Sequence, residues 1–286
     1  MFVGTPQFYS LLLFGVLSIV LLAGVLSPSR FSVPSYFRPL WVFFLFFNAS
    51  EWISFSVAIW ILALFSFQAL REYFSLVDIR LQDRWGILGA YLSIPFMIYL
   101  IQIDWYGLFI ISIPVYAFII VPFLVALGGE EAKGTVFSIG AIDFGLFLFV
   151  YCMGHIGYLS LFSTWMAAFL IVSVVLCDLL DYVLRDRAGG GLKSALLKFL
   201  VAAPLTVAVS LLMSTWTDIP TLHASILGLL VPVLVLVGNF TIGVIESDLG
   251  IARARLQPGK GQLIHGVRSY LFAAPVIFHY IRYFLR

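Results

Sequence analysis

Long apolar runs, separated by short polar stretches, fill almost the whole chain of 286 residues. A helix needs about 20 predominantly apolar residues to cross the hydrocarbon core of a bilayer, and fewer where neighbouring protein covers it. The pattern predicts spans at 7–27, 36–48, 52–74, 86–101, 105–127, 136–156, 164–184, 195–214, 222–245 and 269–285. The second and fourth spans are short, and the stretch 156–163 is ambiguous. We therefore expect an all-α, polytopic integral membrane protein with about 9–10 transmembrane helices.

The basic residues are concentrated on alternate connections between these spans. All Lys and Arg except Arg282 and Arg286 lie on one set of connections or at the adjoining helix ends. The opposite connections contain Glu51, Asp104 and Asp218. Because cytoplasmic loops carry an excess of Lys and Arg, this asymmetry predicts that the basic connections are cytoplasmic and that both termini lie outside.

The composition strengthens the membrane assignment. Hydrophobic residues make up 62% of the chain and charged residues only 10%, whereas soluble domains contain roughly 25% charged residues. So few charges cannot cover a water-facing surface, and lipid must therefore solvate most of the protein. The net charge of +2 is small, and we expect no nucleic-acid partner.

Acidic residues at the cytoplasmic ends of the spans are the first candidates for chemistry. Ionisable groups at membrane depth are costly and usually face a cavity or a partner. The five that could line one cavity are Asp143, Asp178, Asp181, Glu246 and Asp248. One interpretation is a site for a divalent metal and a nucleotide, since Mg²⁺ binds carboxylate and phosphate oxygens. The other is simple pairing of Asp181 and Asp248 with Arg185 and Arg253.

Four segments resemble motifs of one enzyme family, the phosphatidate cytidylyltransferases, also called CDP-diacylglycerol synthases. The resemblance extends from about residue 38 onward at low identity. The segments are SFQALREYFSL (66–76), CDLLDYVLRDRAG (177–189), PGKGQLIHGV (258–267) and RSYLFAAPVIFHYIRYF (268–284). The last is the most similar, and it is a structural helix more than a chemical one. The resemblance implies a CDP-diacylglycerol synthase-like fold, with an additional transmembrane helix in 1–35 and a cytidylyltransferase-like transmembrane domain in 36–286.

The family joins CTP to phosphatidic acid, which releases pyrophosphate and forms CDP-diacylglycerol. One polyanion must attack another in this reaction, so metal ions are needed to neutralise charge and to align the attack. If the chain is active, the resemblance implies Mg²⁺ and CTP as cofactor and substrate. The metal ligands would then be Asp178, Asp181, Glu246 and Asp248, with Asp178 in the catalytic role.

The family's signature is altered at several positions that the chemistry needs. Aspartates of the pattern fall on Asn239, Arg253, His265 and Arg268, and Asp178 alone clearly matches. A guanidinium cannot lose its proton to ligate a metal. Losing several carboxylates together should abolish tight Mg²⁺ binding. We therefore expect a non-catalytic homologue, a pseudoenzyme of this nucleotidyltransferase family, which needs no cofactor.

A basic cluster beside a glycine turn could bind phosphate without a metal. It consists of Arg253, Arg255, Lys260, Arg268, Gly259 and Gly261. Arginine forks suit phosphate, and the backbone amides of a turn can form an anion nest. The alternative is a plain anchor on anionic lipid, in which each base contributes about 1 kcal/mol.

The expected function is therefore binding of a phospholipid or of a membrane partner, such as another protein or an enzyme of lipid metabolism. Two alternatives stay open. One is an active CTP:phosphatidate cytidylyltransferase of phospholipid biosynthesis, and the other is a transporter of lipids or small molecules. We expect the protein in the inner (cytoplasmic) membrane of a bacterium.

Overall fold

A computed structural model describes residues 5–27, 33, 36–128, 132–188, 191–251, 256–257 and 259–286, with the backbone alone for 185–188. The described chain is helical and contains no strand in these ranges. The helices are α1 (Pro6–Leu26), α2 (Phe37–Trp52), α3 (Phe55–Phe74), α4 (Arg84–Gln102), α5 (Tyr106–Ala126), α6 (Thr135–Phe162), α7 (Thr164–Ala188), α8 (Gly191–Thr217), α9 (Thr221–Asp248) and α10 (Gln262–Leu285). A short 3₁₀ turn at Leu81–Asp83 precedes α4.

The all-α, polytopic membrane fold expected from the hydropathy pattern is confirmed. Within the described ranges, eight helices are long and apolar enough to cross a membrane, namely α1 and α3 to α9, the candidate span at α4 beginning with the preceding 3₁₀ turn. The other two, α2 and α10, pack among them, and half of the residues in each are buried. The ambiguous stretch after residue 156 belongs to α6, which continues to Phe162.

Burial distinguishes central helices from peripheral ones. In the most apolar 18-residue stretch of α6, 67% of the residues are buried, whereas in the corresponding stretch of α1 only 11% are buried. Helix α1 is held against α2 by Trp41 Nε1, which donates to Ser18 Oγ at 2.8 Å, and by Asn48 Nδ2, which donates to Ser10 Oγ at 3.1 Å. The proposed domain boundary at residue 35 stays a prediction, since α1 shares these bonds with α2.

Two of the helices widen locally and several contain proline. A π-helical segment spans Ser112–Ala117 in α5 and another spans Phe147–Cys152 in α6. Such segments often occur at bends or functional sites. Prolines lie inside α4, α5, α8, α9 and α10. Membrane helices tolerate them because neighbouring helices satisfy the freed carbonyl groups.

Consecutive helices run antiparallel, so that their ends meet in two groups. The start of α2, the end of α3 and the start of α10 meet where Arg38 and Glu72 contact Gln262. The end of α7 meets the start of α8 through Asp181 and Lys198. We call the end of the bundle that contains these helix ends the basic end. It is defined by Arg38, Arg71, Lys198, Lys260 and Arg268. Asp104 and the start of α5 lie at the opposite end, beside the end of α6.

Candidate functional site

A groove of about 980 Å³ opens at the basic end between α7, α8, α9 and α10. We call it the first groove. Most of its wall comes from α8 and α9, with one residue each from α7 and α10. The polar side chains that line it are Asp181, Ser194, Lys198, Asn239, Ser247, Asp248 and Arg268. An apolar strip runs along α9 with one residue per turn, formed by Leu236, Phe240 and Val244.

A buried hydrogen-bond network lies behind this groove and joins three helices. Ser269 Oγ lies 2.5 Å from Asp178 Oδ1 and 2.8 Å from Asn239 Oδ1. Arg268 Nε donates to Asn239 Oδ1 at 2.8 Å, and Asn239 Nδ2 donates to Asp178 Oδ1 at 3.3 Å. Burial, together with the negative charge of Asp178, raises the pKa of Tyr36, which lies just before α2.

A second buried acid, Glu246, joins the same network from α9. Its side chain is only 1% exposed, and its Oε1 lies 2.8 Å from His265 Nδ1. Arg268 Nη1 lies 3.0 Å from His265 Nε2 and 3.9 Å from Glu246 Oε2. Because isolated charges are very costly away from water, these contacts explain how Glu246 and Arg268 can be buried side by side.

The rim of the first groove carries charges that are partly exposed. Lys198 Nζ lies 2.6 Å from Asp181 Oδ1, and each side chain keeps about a fifth of its surface exposed, 21% and 23%. Asp248 is exposed at the end of α9. Asp181 thus pairs with Lys198 of α8. The pairings predicted from the sequence, with Arg185 and Arg253, stay predictions, because the side chain of Arg185 and all of Arg253 lie outside the described residues.

The acids proposed as metal ligands are dispersed around this site. Asp181 and Asp248 line the groove, whereas Asp178 and Glu246 lie behind it and bond to protein donors. Asp143 is buried in α6 and does not line the groove. Among the described residues, no group of three or more His, Cys, Asp or Glu is placed to hold a metal ion. The arrangement of the described acids does not fit the Mg²⁺ site that the family resemblance implies.

The described residues among those proposed to bind phosphate do not form one cluster. Arg268 is buried at the first groove, whereas Lys260 is exposed and does not line that groove. Gly259 lines a second groove on the side of α10 that faces α2 and α3. Gly261 precedes α10 with φ +88°, a conformation that glycine adopts at little cost. Arg253 and Arg255 lie outside the described residues.

The backbone amides at this turn already have an anion, which the protein itself supplies. Glu72 of α3 accepts hydrogen bonds from the amides of Gln262 and Leu263, each at 2.7 Å. Helix α10 has no capping side chain of its own at this end. The first amides of a helix need such a partner, and a carboxylate there also suits the helix dipole. Glu72 therefore anchors the start of α10 to the end of α3.

We expect Glu72→Leu to lower the free energy of unfolding by about 1–3 kcal/mol, because it leaves two partly buried amides without an acceptor. Unfolding of the purified protein in mixed dodecylmaltoside and SDS micelles measures this change. Glu51→Leu is the matched control, because Glu51 is exposed and, among the described residues, its side chain bonds only to Gln7, at 3.1 Å. Equal destabilisation by the two variants would contradict the anchoring role.

Sequence reasoning missed three residues that matter here. Glu72 lies within the motif 66–76, but only its contact with α10 reveals what it does. Asn239 stands where the family pattern has an aspartate, and in the structure it links Asp178 to Arg268. Ser269 lies within the motif 268–284, but only its contact with Asp178 reveals its role.

Comparison with known proteins adds one relative. No protein-family model matches the chain, and no solved structure matches it. The chain is 27% identical over 247 residues to Uncharacterized protein YnbB of Escherichia coli (strain K12). The similarity covers 77% of this chain and 78% of that protein. The similarity therefore extends over most of the length of both chains.

Proposed function

We propose that this protein is a non-catalytic homologue of the phosphatidate cytidylyltransferases that binds a phospholipid head group in the first groove. The observation that carries the proposal is Arg268. Its side chain is almost fully buried, it lines the groove, and it stands where the family pattern has a carboxylate. A guanidinium repels a metal ion and binds phosphate well.

The bonding of the nearby acids supports the same proposal. Asp178 is engaged by Ser269 and Asn239, and Glu246 by His265. A metal ion would have to displace these donors before it could recruit either carboxylate. The buried acids act instead as counter-ions that hold Arg268 and His265 in place beside the groove.

The groove also offers a path for an acyl chain. Phe240 is 76% exposed and Val244 is 58% exposed, one turn apart on the lipid-facing side of α9. A lipid whose phosphate lies near Lys198 and Arg268 could lay one chain along this strip. Apolar surface next to a few polar groups is typical of ligand sites. We further propose that the basic end faces the cytoplasm, in line with the positive-inside rule.

The test is lipid binding by a Lys198→Gln variant. We expect its affinity for phosphatidate to fall about fivefold, because one base near a lipid phosphate contributes about 1 kcal/mol. Titration of purified protein in micelles, followed by native mass spectrometry, measures the bound lipid. Lys193→Gln, an exposed lysine of the same helix outside the groove, should bind as the wild type does.

Two further results would decide against the proposal. Lys198→Arg keeps the charge and should keep the binding, so a loss there would implicate packing and not phosphate recognition.

The competing assignment is an active cytidylyltransferase, which the match at Asp178 favours. It requires pyrophosphate release from CTP and phosphatidate in Mg²⁺, and Asp178→Asn must abolish that release. Such activity would replace the non-catalytic assignment.

A further inference from the structure

The second groove has the polarity of a lipid binding site in its own right. Its volume is about 780 Å³, and it lies between α1, α2, α3 and the start of α10. Its polar lining residues are Arg38, Gln68, Arg71, Glu72, Ser75 and Gln262, and the apolar ones include Leu21, Trp41, Leu64, Phe65 and Phe67. It shares no lining residue with the first groove.

Polar and apolar residues lie at different depths in this groove. On α3, Leu64 lies seven residues before Arg71, which corresponds to about 10 Å along a helix. Helix α2 runs the other way, and it also places Arg38 at the basic end and Trp41 deeper. Leu64 and Phe67 are 63% and 38% exposed. Both helices therefore present charge at the end and apolar surface below it, the order in which a phospholipid presents head group and chains.

The charges at the polar end suit a single negative charge. Two arginines, Arg38 and Arg71, and one glutamate, Glu72, leave a formal charge of +1. Both oxygens of Glu72 already accept backbone amides. Arg38 donates to the side chain of Gln262. Among the described residues, the Arg71 guanidinium makes no hydrogen bond or ion pair, and it is exposed at the groove.

We propose that the second groove binds a glycerophospholipid whose phosphodiester carries one negative charge. The phosphate lies between Arg38 and Arg71, and the acyl chains follow Trp41, Leu64 and Phe67. A free phosphate would use the arginines alone, and the apolar wall below them has no role for such a ligand. This site is independent of whatever occupies the first groove.

The main test uses Arg71→Gln, which breaks no hydrogen bond or ion pair of the described residues and should leave the fold intact. Phosphatidylglycerol is the probe, and native mass spectrometry measures the bound lipid. We expect about fivefold weaker binding, the effect of one base near a lipid phosphate. Arg84→Gln is the matched control, because Arg84 is exposed at the start of α4 and lines neither groove. Equal binding by the two variants would overturn the proposal.

Trp41 reports on the site directly. Phosphatidylglycerol with brominated acyl chains should quench the emission that the wild type has and Trp41→Phe lacks. Arg71→Gln should shift this quenching to about fivefold higher lipid concentration, whereas Lys198→Gln should not shift it. Equal quenching by brominated diacylglycerol, or competition by glycerol phosphate at the same concentration as the lipid, would reject a phospholipid as the occupant. Failure of the Lys198 test alone would reject the first groove and leave this site standing.

Discussion

Arg268→Met is expected to destabilise the protein by about 3–5 kcal/mol, since removing one member of a buried ion pair leaves the other charge uncompensated. Glu246 is 1% exposed and lies 3.9 Å from the Arg268 guanidinium, with His265 between them. The substitution also removes the hydrogen bond to Asn239. The free energy of unfolding in mixed micelles of dodecylmaltoside and SDS measures the loss.

The control is the same substitution on the same helix at the opposite end. Arg282 lies 3.9 Å over the Tyr106 ring and is partly exposed, so Arg282→Met should cost only about 0.5–1 kcal/mol. Adding Glu246→Gln to Arg268→Met should recover part of the loss, because the uncompensated charge is then gone. If the double variant loses at least as much free energy of unfolding as the two single variants together, the two residues do not form the proposed pair.

Gly228→Ala is the second large effect, and we expect it to cost about 2–4 kcal/mol. A Cβ at this position would lie 2.6 Å from the Cα of Val207 and 3.0 Å from the carbonyl oxygen of Thr206. Thr206 Oγ1 also donates to the Gly228 carbonyl at 2.6 Å. Because a backbone cannot rotate away as a side chain can, α8 and α9 would have to separate. Overpacking of this kind costs about 1–3 kcal/mol, and the lost hydrogen bond adds about 1 kcal/mol.

Gly140→Ala is the matched control, because a Cβ there meets no atom within 4 Å. Gly140 lies in α6, where the change should stabilise the protein by about 0.5–1 kcal/mol, since alanine is the better helix former. The two variants are thus expected to differ in sign in the same unfolding assay. Because α8 and α9 form most of the wall of the first groove, Gly228→Ala should also weaken lipid binding. Unchanged stability would show that α8 and α9 are not in close contact at Gly228.

Several features of this protein could be recognised before its structure. The apolar runs located every helix of the bundle, and most predicted helix ends lie within a few residues of the observed ones. For example, α9 spans Thr221–Asp248, where the pattern predicted 222–245. The pattern left the stretch 156–163 ambiguous, and the structure shows that α6 continues to Phe162. The small and polar residues of that stretch resemble a loop, but packing against other helices buries Tyr158 and Ser160.

The candidate site was only partly predictable. The motif comparison identified Asp178 and Arg268 as positions of interest, and both belong to the network beside the first groove. It also suggested that Gly259 and Arg268 share one phosphate site, whereas the structure places them in different grooves. Residues near each other in sequence at a helix start can face opposite sides of the helix. The motif does not show which way each residue faces, because it contains no information on which helices pack against the two sides of α10.

The sequence by itself determined that this is a helical membrane protein, because the free energy of placing a segment in lipid is nearly a sum over its own residues. Only the tertiary structure decided the partners of the charged groups. Asp178 meets Ser269 across 91 positions of the chain, and Glu72 meets Gln262 across 190. Such pairings depend on how the helices pack and turn toward each other. The same packing decides whether an acid is available to a metal ion or already serves as a counter-ion within the protein.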